Sequence, residues 1–152
     1  MNQSTELLHH MQHFFQNYLA RDRGVSPHTI LAYRDALKLF LLFAATFKRK
    51  PVSKLAMEDL DVDTVLNFLK EIERTRKNSA VTRNLRLAAL KTFFSFLITQ
   101  DIVRASQYQK IISIPLKKET KALMGYLEVK EVENILGSIN KETALGQRDY
   151  VL

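Results

Sequence analysis

Residues 79–100 repeat apolar and polar positions with the period of a helix, and neither glycine nor proline interrupts them. Ser79 has a side chain typical of a helix N-cap, which predicts the start of a long helix here. At about 100° per residue, one sector collects four polar side chains, Ser79, Thr82, Arg83 and Arg86. The other positions are mostly apolar, among them Leu85, Ala88, Ala89, Phe94, Phe96, Leu97 and Ile98. We expect this helix to face solvent near Arg83 and to be deeply buried near Phe94.

Hydroxyl and guanidinium groups that share a helix sector are typical of phosphate contacts. The alternative is that Arg83 and Arg86 form only a solvated face, as surface arginines usually do. Features elsewhere in the chain are needed to choose between these two interpretations.

The same period predicts three earlier helices, over residues 4–21, 26–47 and 61–76. Ser26-Pro27 supplies a capping serine followed by proline at the first helical position, where its missing N–H costs nothing. Asp61 or Asp63 can cap the third helix. Short connections between helices with apolar faces predict an all-α fold, an orthogonal bundle of four to five helices.

The first turns of the second helix carry further polar candidates. Ser26 and Thr29 lie at the helix N-terminus, where the helix dipole favours a phosphate oxygen. A first-turn threonine with its hydroxyl in water is an equally simple interpretation of Thr29. His28, Arg34 and Lys38 lie away from the centre of the apolar face.

From residue 101 to 124 the apolar period lapses, which predicts a basic linker containing Lys117 and Lys118, preceded by a short helix over 103–110. Residues 127–139 then predict a new amphipathic helix, and an apolar run opens at 150–152. The expected organisation is a helical domain at 1–112, a linker at 113–126 and the beginning of a truncated second domain at 127–152.

Charge separates the same two parts. The formal net charge is +7, with +9 in residues 1–125 and −2 in residues 126–152. Between Arg74 and Lys118, ten cations face one acid, Asp101. Phosphate backbones are the obvious partner for such a block of charge. An anionic membrane surface is the less favoured alternative, because these cations share their helices with core-like aromatic residues.

Several classes of function have no support in the sequence. The chain has no cysteine, so thiolate metal sites and disulfides are excluded. His9 and His13 are spaced four apart, but no neighbouring acid completes a metal site. Phosphate-binding loops and catalytic constellations are not recognisable, so we expect neither a cofactor nor catalysis by this chain alone. Without a signal peptide or a membrane-length apolar run, a cytoplasmic location is expected.

The order of these segments resembles tyrosine recombinases and phage integrases of the Xer-like type. One similar run begins Gly24-Val25-Ser26-Pro27-His28-Thr29 and continues through Tyr33, Leu37 and Phe40. A second comprises Thr82-Arg83-Asn84, Leu87-Ala88-Ala89-Leu90-Lys91 and Phe93-Phe94-Ser95-Phe96-Leu97. Ile114-Pro115-Leu116-Lys117-Lys118, Leu127-Glu128-Val129 and Arg148-Asp149 are similar to the linker and the opening of the catalytic domain of that family.

The resemblance implies a SAM-like core-binding domain that forms one half of a C-shaped clamp around duplex DNA. The helices that start at Ser26 and Ser79 would face the major groove, which favours contacts by Thr29, Arg34, Thr82, Arg83 and Arg86. The catalytic arginine, lysine, histidines and tyrosine of the family would lie beyond Leu152. The parent protein would also contact other recombinase protomers on DNA, and helix one is a candidate for that contact.

A second class of function remains open: a helical protein-interaction module whose basic surface binds an acidic partner. It needs the same core but no groove-matched spacing of cationic helices. Competition with duplex DNA distinguishes the two, because only a DNA site loses its ligand to excess duplex.

Overall fold

In the computed structural model, residues 3–75 and 79–118 are described, and within these ranges the chain is helical and has no strand. The α-helices are α1 (Gln3–His13), α2 (Pro27–Lys48), α3 (Val62–Thr75), α4 (Ala80–Gln100) and α5 (Ala105–Ile112). A π-helical segment, Phe14–Asp22, continues α1, and three 3₁₀ turns occupy Val52–Lys54, Met57–Asp59 and Ile102–Arg104. The predicted all-α class is confirmed.

Local chemistry sets the helix boundaries. Ser26 and Ser79 cap α2 and α4 as predicted, and Asp61 caps α3 by accepting a hydrogen bond from the Thr64 backbone N–H at 2.8 Å. The π-helical segment stops before Gly24, whose φ of 58° is accessible to glycine at little cost. α2 ends at Arg49, which adopts a left-handed φ of 57°. These ends match the expected ones within one or two residues.

A chain of aromatic contacts joins all parts of the bundle. Phe14 of the π-helical segment packs edge-on against Phe93 of α4, with ring centroids 5.1 Å apart. Phe40 of α2 contacts Phe68 of α3 at 5.4 Å. Phe94 of α4 contacts Phe40 on one side and Tyr108 of α5 on the other. Because all of these aromatic side chains are buried, the helices share one core.

Three details differ from the sequence predictions. Residues 14–22 are π-helical where one continuous α-helix was expected. The short helix after residue 101 covers 105–112, and Tyr108, Ile111 and Ile114 reach the core, so this stretch contributes to the bundle although its period is weak. Leu85, expected on the apolar side of α4, is 66% exposed, because it lies at the open groove between α2 and α4.

The chain divides into two units, Met1–Lys117 and Lys118–Leu152. The predictions for 127–139 and 148–152, and the start of a second domain at 127, lie outside the described residues. The division at 112 and 126 therefore stays a prediction. No helix in the described ranges is long and apolar enough to cross a membrane.

Candidate nucleic-acid interface

The N-termini of α2 and α4 are built from the same Ser-x-x-Thr pattern. Ser26 Oγ accepts a hydrogen bond from the Thr29 backbone N–H at 3.2 Å and lies 3.0 Å from the Thr29 hydroxyl. Ser79 Oγ accepts from the Thr82 N–H at 3.3 Å and lies 3.3 Å from the Thr82 hydroxyl. The first turn of α4 also has the N–H groups of Ala80 and Val81, whereas Pro27 has no N–H and α2 has only that of His28.

α2 and α4 enclose a shallow groove of about 300 Å³. α2 contributes Ala32, Tyr33, Asp35 and Ala36, and α4 contributes Thr82, Leu85, Arg86 and Ala89. The Nε atom of Arg86 is buried and has no hydrogen-bond partner within the described ranges. A buried guanidinium N–H without an acceptor is costly, and the Arg86 side chain would have to shift to bring this N–H to an acceptor in the groove.

Arg83 does not face solvent, contrary to the sequence expectation. Its side chain is 13% exposed, and its Nε lies 2.9 Å from Glu73 Oε1 of α3. One of its terminal N–H groups also donates to Asn84 Oδ1 at 3.2 Å. The sector of α4 that carries Arg83 faces α3 and the stretch after α5. The Glu73 carboxylate of α3 therefore lies within reach of the guanidinium.

Lys117 shares the same carboxylate, with Nζ 3.1 Å from Glu73 Oε2. Its side chain is 54% exposed, so it lies at the open edge of the cluster. Arg83, Glu73 and Lys117 therefore form a three-residue ion cluster, in which two cations share one acid. The sequence placed Arg83 and Lys117 among the phosphate contacts but gave no sign of Glu73.

Asn84 fixes the backbone beside this cluster. Its Nδ2 donates to the Lys117 carbonyl at 2.7 Å, and the Lys117 N–H donates to its Oδ1 at 2.9 Å. Asn84 was not among the contacts predicted from the sequence. The available signal was a polar side chain at a buried position of a helix, since such groups are paired in folded proteins.

The other predicted contacts lie elsewhere. Arg34 and Lys38 line an apolar groove between α1 and α2, together with Met11 and Phe15. That groove uses a different face of α2 from the one that meets α4. His28 is exposed in the first turn of α2, and Lys118 is exposed near the end of the described ranges.

A second ionic cluster, centred on Arg104, is structural. The guanidinium contacts Asp101 at 2.6 Å, Glu6 at 3.1 Å and Glu58, joining the α4–α5 junction to α1 and a 3₁₀ turn. Tyr108 donates its hydroxyl to the same Asp101 oxygen at 2.8 Å. The sequence counted Arg104 among the basic block, yet three acids already neutralise it.

The pKa values within this cluster follow from its contacts. Burial opposes the charged form of Asp101, but the hydrogen bonds from Arg104 and Tyr108 outweigh it and lower the pKa of the carboxyl. The hydrogen bond to Asp101 raises the pKa of Arg104, and burial raises the pKa of the Tyr108 hydroxyl. At neutral pH Asp101 and Arg104 are therefore charged and Tyr108 is neutral, and their contacts hold the helices together. Within the described ranges, no group of three or more histidines and acids is placed to bind a metal ion.

Comparison with known proteins gives a consistent picture. Residues 13–101 match the family described as phage integrase, N-terminal SAM-like domain. The chain is 37% identical to the integrase/recombinase y4rD of Sinorhizobium fredii, over 91% of this chain and 50% of that protein. It is 27% identical to tyrosine recombinase XerC of Oceanobacillus iheyensis, over 91% of this chain and 42% of the relative. Identity to tyrosine recombinase XerD of Chlamydia pneumoniae is 34%, over 80% and 36%.

The chain therefore spans half or less of the length of these three relatives. No solved structure shows significant similarity to it.

Proposed function

Because the chain belongs to the phage integrase N-terminal SAM-like domain family, we propose that it binds duplex DNA as one half of a clamp in site-specific recombination. The observation that carries this proposal is the groove between α2 and α4. There the partly buried Arg86 lacks an acceptor among the described residues, and Thr82 lies in the first turn of α4. A phosphate or a base edge can supply the acceptor that Arg86 lacks, although Asp35 also lines the groove and opposes an anion there.

The two Ser-x-x-Thr caps add to this argument. Each places hydroxyls at a positive helix end, where the dipole favours phosphate oxygens, and α4 has more first-turn N–H groups to offer than α2, which begins with Pro27. The proposed contact residues remain those selected by sequence: Ser26, His28, Thr29, Arg34, Lys38, Ser79, Thr82, Arg83, Arg86, Lys117 and Lys118.

The proposed contact residues differ in the partners that they have in the free protein. Arg86 is available in the groove, whereas Arg83 and Lys117 must exchange Glu73 for phosphate before they contribute. Arg34 and Lys38 lie on the α1 side of α2, so they contribute only if the duplex also covers that side.

The wider activity belongs to the proposal as well. The parent protein is proposed to exchange DNA strands through a tyrosine nucleophile and to assemble with other recombinase protomers in the cytoplasm. This chain alone is proposed to bind duplex DNA without forming a covalent protein–DNA complex.

Fluorescence anisotropy with a labelled mixed-sequence duplex tests the proposal, with salt varied from about 50 to 200 mM. Binding that weakens steeply with salt is expected, because several phosphates exchange bound cations for protein side chains. Absence of binding at low salt would overturn the DNA-binding proposal. A polyanionic acidic protein serves as competitor: it displaces the duplex poorly if the site fits a DNA groove and effectively if only charge matters.

A further inference from the structure

The ion cluster of Arg83, Glu73 and Lys117 joins three separate parts of the fold. Glu73 is on α3, Arg83 is on α4, and Lys117 lies in the stretch that follows α5. The carboxylate is 28% exposed, between the mostly covered arginine and the open lysine. Glu73 thus pairs with both Arg83 and Lys117, which belong to the stretch 74–118 where ten cations face one acid.

Carboxylate and phosphate oxygens compete for the same donors. Both are anionic acceptors that fit the guanidinium fork and the lysine ammonium group. A phosphate that reaches Arg83 and Lys117 therefore has to displace Glu73, and the negative charge of Glu73 repels it on approach.

We propose that Glu73 is an internal counter-ion that competes with DNA phosphates for Arg83 and Lys117 and so lowers the affinity of the free protein for DNA. This inference rests on the proposed DNA-binding function. Asn84 keeps the backbone of Lys117 in place while its side chain changes partner, because both backbone hydrogen bonds are independent of Nζ. The Lys117 ammonium group can thus exchange the Glu73 carboxylate for a phosphate while the Lys117 backbone stays bonded to Asn84.

The test compares the duplex affinity of the full chain with that of Glu73→Gln by anisotropy. The substitution keeps the shape of the side chain and removes its charge. We expect affinity to rise roughly three- to tenfold at low salt, the range for release of two partly exposed ion pairs. Glu71→Gln is the matched control: it removes the same charge from the same helix, where Glu71 pairs with the exposed Arg74.

A double-substitution cycle identifies the cause of any gain. Lys117→Gln alone is expected to weaken binding, and Glu73→Gln should gain less in its presence than in the parent chain. An equal gain in both backgrounds, or an equal gain from Glu71→Gln, would show a net-charge effect and overturn the inference.

The result also separates this inference from the proposed function. If the parent chain binds duplex and Glu73→Gln binds equally well, the DNA-binding function stands and the counter-ion role is wrong. If neither protein binds duplex at low salt, the DNA-binding function itself is wrong. Thermal melting of both proteins verifies that each is folded.

Discussion

Asn84 and Lys117, 33 positions apart in the sequence, are joined by a reciprocal pair of hydrogen bonds. The amide of Asn84 donates to the Lys117 carbonyl and accepts from its N–H. One side chain therefore satisfies both backbone polar groups of Lys117. This pairing fixes the path of the chain as it leaves α5 and runs back along α4. It also places Lys117 next to Glu73.

Replacement of Asn84 by alanine removes both bonds. We expect Asn84→Ala to lower the free energy of unfolding by about 1–2 kcal/mol, since the two backbone groups of Lys117 regain water only in part. Urea denaturation followed by circular dichroism measures this loss. Asn67→Ala is the control: Asn67 bonds to Asp63 within one helix at an exposed site, and we expect a change below about 0.5 kcal/mol. Equal losses would mean that the Asn84–Lys117 pairing adds nothing.

Because the pKa of Asp101 is lowered in the folded protein, the free energy of unfolding depends on pH in the acid range. The folded carboxyl binds its proton less readily than the unfolded one, so its contribution is complete above the unfolded pKa of about 4. That contribution is lost as the pH falls through the lower, folded pKa. Unfolding free energies measured between about pH 5 and pH 2 should fall with acid, and less steeply in Asp101→Asn. Asp22→Asn, at an exposed position of the π-helical segment, is the control for the loss of one carboxylate.

Gly24 and Arg49 adopt nearly the same left-handed φ, 58° and 57°. Gly24→Ala is expected to destabilise the protein by about 1 kcal/mol, although no atom lies within 4 Å of the added Cβ, because the cost is in the backbone. Arg49→Gly relieves the same strain and should stabilise by about 0.5–1 kcal/mol. In the structure, the Lys50 N–H reaches the Ala45 carbonyl at 2.9 Å, a helix end that favours glycine at position 49. Opposite signs in thermal melts confirm this assignment, and equal signs contradict it.

The parts of the fold that the sequence predicts well are those set by neighbouring residues. The caps at Ser26, Asp61 and Ser79 depend on side chains that bond to an N–H three positions later, so short-range chemistry is sufficient. The π-helical segment at 14–22 was not predicted, because no capping side chain or helix-breaking residue marks the change from i→i+4 to i→i+5 hydrogen bonds at Phe14. A short helix was predicted at 103–110, two residues from the observed α5, but its contribution to the core was not, because eight residues are too few to define an apolar face.

The candidate site is less predictable, since its ionic partners come from distant parts of the chain. Arg83 has the sequence pattern of a solvated or phosphate-binding arginine, yet Glu73, on another helix, holds it in the structure. The exposure of Leu85 was missed for a similar reason. The helical period shows which residues of α4 share a face, but the packing of the neighbouring helices decides which face is buried. Arg86 was selected by pattern and lies in a groove, but only the structure identifies the groove.

Arg86 gives the sharpest test of which face of α2 meets DNA. Arg86→Ala is expected to weaken duplex binding by about 1–3 kcal/mol if the guanidinium reads a base, or to reduce the salt slope by about one if it contacts a phosphate. Arg34→Ala removes the same charge from the α1 side of α2 and should cost less. Arg21→Ala, at the exposed end of the π-helical segment, controls for net charge. A larger loss for Arg34→Ala than for Arg86→Ala would move the interface to the groove between α1 and α2, because Arg86 of α4 borders one face of α2 whereas Arg34 lies on another.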